Sequence, residues 1–323
     1  MIRRQCLLFM ALSCVACLSW SRPTDAQEAS APRDATAKTA EPGTRRVLIV
    51  CGLSGDEPHH TLFAETLVKL QAGLSARMGI ASDNIRLLFG DEPNDADPRE
   101  IQDAGLSTRE DLEKAVAEMR QTLSPHDSLW VFVLGHSHYD GTHTWLNLPG
   151  PDLHEGDFAK LFQGVEAAEQ VYVIATPASG FFIKPLSAKG RVIISATEAD
   201  WETNETEFPL QLAAALTEEI PLKEFDADSD GMLTLFDLYI TLNRRLAQSY
   251  LDRQFLATEH PLLDDNGDGR GSDLQIDYLT EDQGGRVRPG RALKVAYRPG
   301  GDGELAKTIR LRDLEIGADA TNR

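Results

Sequence analysis

Five short apolar runs constrain what this chain can fold into: Arg46-Val-Leu-Ile-Val-Cys-Gly52, Ile85-Arg-Leu-Leu-Phe-Gly90, Ser128 to Leu134, Val171 to Ala175 and Arg191-Val-Ile-Ile-Ser195. Runs this short are strands rather than helices, and their lack of polar alternation means that both faces are covered. Helical patterns lie between and after them. Thr61 to Met78 is amphipathic, with Leu62, Leu67, Leu70 and Leu74 in its apolar set. Ser107-Thr-Arg-Glu110 fits a capping box that opens a helix running to about Leu123. Asp157 to Phe162 and Glu205 to Thr217 supply two more helical pieces. Alternating strand and helix predict an α/β domain over residues 45–220, a doubly wound and mostly parallel sheet with flanking helices. In such sheets ligands bind in the crevice beyond the carboxyl ends of the strands. Two segments stand there, Gly135-His-Ser-His-Tyr-Asp140 and Thr176-Pro-Ala-Ser-Gly180.

The ends of the chain read differently. Arg3-Arg4, an apolar run from Cys6 to Trp20 and polar residues to Gln27 have the layout of an export signal over residues 1–27, with Ala26 at the cleavage position. The run is too short for a membrane span, which predicts an exported protein, periplasmic or secreted. Cys14 and Cys17 lack the aliphatic residue three positions earlier that lipid attachment favours. Only Cys51 of the four cysteines lies outside this segment, so no internal disulfide is expected after export, and Cys51 reads as a small buried apolar residue. Residues 28–44, rich in Ala, Thr, Pro and charge, read as a disordered linker. The tail, 278–323, is weakly patterned. A formal net charge of -19 argues against nucleic acid or an anionic membrane as partner and favours cations.

Residues 221–277 contain the sharpest local signal, Asp226-Ala-Asp-Ser-Asp-Gly-Met-Leu-Thr-Leu-Phe-Asp237. Calcium takes six to eight oxygen ligands, and a twelve-residue loop provides them from alternate positions with Gly at the tight turn. Those positions hold Asp226, Asp228, Asp230, the Met232 carbonyl, Thr234 and Asp237, with Gly231 at the turn. A helix from Leu235 to about Gln254 follows, as in the EF-hand loop that this stretch resembles. Asp237 stands where that loop usually has Glu, and the shorter carboxylate lowers affinity or favours magnesium. The alternative is an acidic turn that caps a helix, but three alternating aspartates repel one another without a cation. Asp264, Asn266 and Asp268 begin a second loop of this kind, which then loses the pattern at Gly271 and Gln275. A weaker calcium site and a plain Asn-Gly/Asp-Gly turn describe it equally well.

His136-Ser-His-Tyr-Asp140 opens like a zinc-hydrolase signature, yet Gly141 stands where the next ligand belongs, and neither His143 nor His154 is at a matching offset. The wider order of motifs resembles the cysteine peptidases of the caspase and legumain type, particularly bacterial legumain-like (C13-type) proteins. It rests on Val131-Phe-Val-Leu-Gly-His136, Ala175-Thr-Pro-Ala-Ser-Gly180, Ser179 to Ser187, Gly190 to Thr197 and Asn204-Glu-Thr206. The resemblance spans roughly Arg46 to Asp268. It implies a caspase-like fold with a catalytic His at His136 and a catalytic Cys at the position of Pro177. The chain departs from it where chemistry is done: Pro177 has no thiolate, Ser137 replaces the Gly after the His, and Ala175 replaces the Asp two before the Cys. Without the thiolate the His136 dyad cannot run. The expectation is an exported, calcium-binding pseudopeptidase with a binding or scaffold role, for a peptide or protein in the strand-end crevice. The alternatives are a hydrolase in which Ser179 or Thr176 works with His136, a zinc hydrolase, and a purely structural protein whose acidic loops only cap helices.

Overall fold

The computed structural model describes residues 43–199, 202–273 and 301–312. The export segment 1–27, all but the last two residues of the 28–44 linker, and the tail apart from 301–312 lie outside the described residues.

The chain enters the sheet with β1 (Arg45–Cys51) and crosses one face with α1 (Glu57–Met78) before β2 (Ile85–Phe89). After α2 (Arg99–Gln102) and the two-residue β3 (Gly105–Leu106), α3 (Arg109–Thr122) returns to β4 (Ser128–Leu134). A small excursion follows: β5 (Ser137–Tyr139), β6 (Thr144–Leu146), β7 (Leu153–His154) and α4 (Glu155–Leu161). The main sheet resumes with β8 (Glu169–Ile174), α5 (Ile183–Leu186) and β9 (Arg191–Ser195). Three helices come next, α6 (Phe208–Thr217), α7 (Leu222–Phe225) and α8 (Leu235–Asp252), then β10 (Leu262–Asp264) and β11 (Ser272–Asp273).

Eight strands form one sheet in the order β11-β10-β9-β8-β4-β1-β2-β3. Every neighbouring pair from β9 to β3 is parallel, while β10 and β11 add an antiparallel edge. The fold is therefore mixed α/β with a mostly parallel sheet and helices on both faces. The alternation of side chains sorts the strands into two cores. Val47, Ile49, Trp130, Phe132, Val171 and Val173 join α1, α6 and α8 on one face. Leu48, Val50, Val131, Val133, Tyr172 and Ile174 join α3, α4 and α5 on the other. Because α8 contributes Leu235, Phe236, Tyr239 and Leu242 to the first of these, residues beyond 220 share the core of the sheet.

Local differences from the sequence expectations have physical reasons. α1 starts at Glu57, because Asp56 accepts a hydrogen bond from the His59 amide and Pro58 sits in the first turn, where its missing N–H is harmless. Leu62 is exposed, and its place on the buried face is taken by His60. The α3 cap is Thr108 rather than Ser107. The Thr108 hydroxyl accepts from the Asp111 amide, while Ser107 donates its hydroxyl to the Cys51 carbonyl at 2.7 Å. α6 begins at Phe208 instead of Glu205.

Candidate functional site

The crevice forms where β4 and β8 end together. They pair as far as Val133 with Ile174, so His136 and Pro177 stand at equivalent places, three residues beyond the paired ends. Gly135 makes the turn into His136 at φ +104, and a Cβ there would lie 2.8 Å from the Gly52 nitrogen. Only glycine lets the ends of β1 and β4 approach this closely.

His136 Nε2 donates to the Ser54 carbonyl at 3.0 Å, since a carbonyl only accepts. Its other nitrogen, Nδ1, lies 3.9 Å from Glu205 Oε1. Glu205 Oε1 is also 2.9 Å from His59 Nε2, and His59 Nδ1 is 2.6 Å from Asp56 Oδ1. The two imidazoles meet edge to face with centroids 5.0 Å apart, and Phe63 packs against His136 at 5.3 Å. Hydrogen bonds to Asp56 and then Glu205 hold the His59 pKa above its ordinary value. None of Asp56, His59 or Glu205 was expected in the crevice from the sequence. They come from helix α1 and from the loop before α6, and no short spacing connects them.

The segment after β8 is bound into the scaffold. Pro177 is buried, its carbonyl accepting from the Ser137 hydroxyl and, at 3.3 Å, from Thr176 Oγ1. Ala178 takes a left-handed conformation, φ 50, and donates its amide to the Glu202 carbonyl at 2.8 Å. Both hydroxyls considered as replacement nucleophiles are engaged by the scaffold. Thr176 and Ser179 are fully buried. Ser179 Oγ accepts from the amides of Ala196 at 3.0 Å and Thr197 at 3.1 Å, and it also contacts Thr197 Oγ1. The hydrogen bond of the His136 ring goes to the Ser54 carbonyl, and its other nitrogen faces Glu205 at 3.9 Å. Cys51, also fully buried, has its thiol pKa pushed far up by burial, as suits an apolar packing residue.

The zinc reading of His136-Ser-His-Tyr-Asp140 does not assemble. His138 is exposed and pairs with Asn147 Oδ1 at 2.8 Å. Asp140 accepts from the His143 amide, the Trp145 indole and the Thr142 amide, which hold its carboxyl down to about 2. A separate group forms where β6 meets α4, from His143, His154 and Glu155. Beside it an open cleft of about 630 Å³ runs past Phe181, Ile183, Lys184, Pro185 and Leu262.

In the first acidic loop, Asp226, Asp228 and Asp237 converge, with one carboxylate oxygen of each lying within 4.8 Å of the others. Asp226 accepts from the amides of Asp230 and Gly231, and Asp230 accepts from the Met232 amide. Asp237 Oδ2 accepts from the Thr234 amide and hydroxyl, while Oδ1 accepts from the Ala227 amide. Thr234 and Asp237 thus form a capping box at the start of α8. Burial first, with the neighbouring Asp228 charge adding, raises the Asp237 pKa. The buried oxygens of Asp228 accept no hydrogen bond of good geometry; its charge partner is Lys307, whose Nζ lies 2.7 Å from Oδ2. Lys307 arrives on the strap 301–312, which pairs with the loop through the Leu311 amide to the Leu233 carbonyl and the Leu235 amide to the Ile309 carbonyl, both 2.8 Å.

The second acidic loop follows β10. Asp264 accepts from the amides of Gly267 and Gly269, Asn266 from that of Asp268, and Asp268 from that of Arg270. Asp265 turns the other way and accepts from the amides of Gly303 and Ala306 on the strap, at 2.8 and 2.7 Å.

A scan against protein-family models finds no match, and a search of curated proteins finds none. Among the described residues no helix is long and apolar enough to cross a membrane.

Proposed function

We propose that this chain is an exported calcium-binding protein whose α/β domain is of the caspase and legumain type, has lost peptidase chemistry, and serves to bind a peptide or protein in the strand-end crevice. The observation that carries the calcium reading is the convergence of Asp226, Asp228 and Asp237 around the buried Asp228 oxygens. Three carboxylates that close, with a single ammonium, Lys307, at Asp228 Oδ2, carry more negative than positive charge and call for a cation. Calcium would be held by these three together with Asp230, the Met232 carbonyl and Thr234. Bound there, it supplies charge neutralisation and ties the loop to the start of α8; no chemical step is assigned to it.

The loss of peptidase chemistry rests on Pro177, which offers no nucleophile, and on the hydrogen bonds that hold Thr176 and Ser179 in the scaffold. The export reading rests on the Arg3-Arg4 and Cys6 to Trp20 pattern alone. The test is a melting curve of the mature protein with and without calcium. A calcium-dependent rise in Tm that disappears in Asp226→Ala is expected, together with no cleavage of a peptide library. A Tm indifferent to calcium, or robust cleavage abolished by His136→Ala, would remove the corresponding half of the proposal.

A further inference from the structure

We propose that His59, His136 and Glu205 form a binding site for a transition metal of the zinc class at the mouth of the strand-end crevice. Three ligand atoms from three separate parts of the chain lie within 4.8 Å of one another. What sets this group apart is the state of the outer ring nitrogens. His136 Nε2 is held by the Ser54 carbonyl and His59 Nδ1 by the Asp56 carboxylate. Those partners fix the outer ring hydrogens, so an ion that replaces the His59 Nε2 contact with Glu205 Oε1 would meet the lone pairs of His59 Nε2 and His136 Nδ1. A carboxylate or carbonyl behind each imidazole is the arrangement that orients metal-ligating histidines. Two imidazoles and one carboxylate suit zinc, with a further position left for water or a ligand entering the crevice.

The group at β6 and α4 has the same composition but not this property. The inner nitrogen of His154, Nδ1, accepts the Gly156 amide at 3.1 Å, so its lone pair is occupied. Both oxygens of Glu155 are also engaged, by His143 Nδ1 and by the Thr144 amide, each at 2.9 Å. It is closed on itself, whereas in the His59 group the one close inner contact is that of His59 Nε2 with Glu205 Oε1.

In the metal-free protein the close contact of His59 Nε2 with Glu205 Oε1 stands where the ion would sit. The His59 ring bridges two carboxylates, with Nδ1 2.6 Å from Asp56 Oδ1 and Nε2 2.9 Å from Glu205 Oε1. The ion does not depend on the acidic loop, because none of the three ligands belongs to it.

The experiment titrates the metal-stripped full-length mature protein with Zn2+ alone, and with Co2+ for its visible spectrum. One equivalent is expected to bind at this site in wild type and equally in Asp226→Ala and His143→Ala. The spectrum should indicate nitrogen and oxygen ligands. Glu205 is exposed, so Glu205→Gln should fold normally and weaken binding, as should His59→Ala. Asp56→Asn, which keeps a side chain able to cap α1 but removes the carboxylate behind His59, should weaken it about 10- to 100-fold. Zn2+ binding that is absent, unchanged in both Glu205→Gln and His59→Ala, or lost instead in His143→Ala would overturn the proposal.

Discussion

The two acidic loops share a sequence pattern and differ in what their carboxylates face. In both, the first aspartate accepts two amides of its own turn and a later one accepts the amide two residues on: Asp226 and Asp230 in one, Asp264 and Asp268 in the other. Up to that point they are the same Asx-type turn. The first then adds two carboxylates, Asp228 from within and Asp237 from the start of α8, and both face Asp226. The second has Asn266 in place of the middle carboxylate and directs Asp265 to the strap. Aspartates at alternate positions therefore form a turn by themselves. They become a candidate cation site only where an additional buried carboxylate is left without a hydrogen-bond donor of good geometry.

The largest difference between the loops should appear on adding calcium. At a concentration 100 times Kd, a single site adds about 2.7 kcal/mol to stability. That gain should vanish in Asp228→Asn and survive in Asp268→Asn, read as calcium-dependent shifts in Tm. Equal losses in the two variants would erase the distinction between the loops.

The next effect tests the second loop as a structural clasp. Asp265→Ala leaves the Gly303 and Ala306 amides without their acceptor, which should cost about 1–3 kcal/mol whether or not calcium is present. The pH dependence has a definite sign. Burial raises the Asp265 pKa above its ordinary value. A carboxyl whose folded pKa is raised contributes stability that is present below its unfolded pKa and is lost as pH rises through the folded one. The Tm advantage of wild type over Asp265→Asn should therefore grow on acidification through the carboxylate range. The calcium-dependent advantage of wild type over Asp228→Asn should shrink over the same range, since ligands must be deprotonated to hold the ion. Parallel pH profiles would contradict the assignment of different roles.

How far the sequence revealed this molecule follows from the length scale of each signal. Strands buried on both faces are continuous apolar runs, so the five central strands were legible, as was the helix after Thr234. β5, β6 and β7 are two or three residues long, too short to show a period, and no element was predicted between Leu134 and Asp157. β10 was hidden because its last residue, Asp264, was read as the start of an acidic loop, although it pairs with Ile193 at the sheet edge. The predicted cap at Ser107 was displaced by one residue, because that hydroxyl serves the Cys51 carbonyl and Thr108 is free to cap. The crevice was legible at His136 and Pro177, which follow strands. Its other members were not: residues 59 and 205 reach His136 only through the packing of α1 and α6, which no local spacing encodes. The same holds for Lys307, carried on a tail without pattern.

Lys307 also supplies the smallest and most selective probe of the first loop. Its ammonium stands 2.7 Å from Asp228 Oδ2 and 5.1 Å from the centre of the Phe236 ring. It thus offsets part of the charge that calcium would neutralise. Lys307→Met keeps most of the side chain's length and removes the cation, with unequal consequences for the calcium-free and calcium-bound protein. The calcium-free protein should lose on the order of 1 kcal/mol, the upper end for a partly exposed ion pair. The calcium-bound protein should lose less, because the ion replaces the missing charge, so the calcium-induced rise in Tm becomes larger and the apparent affinity several-fold tighter. Asp228→Asn should remove both effects, and the double variant should behave as Asp228→Asn alone, since the two residues act through one contact. If Lys307→Met instead weakens calcium binding, the lysine orders the loop for the ion rather than competing with it, and the calcium-free contact belongs to the site itself.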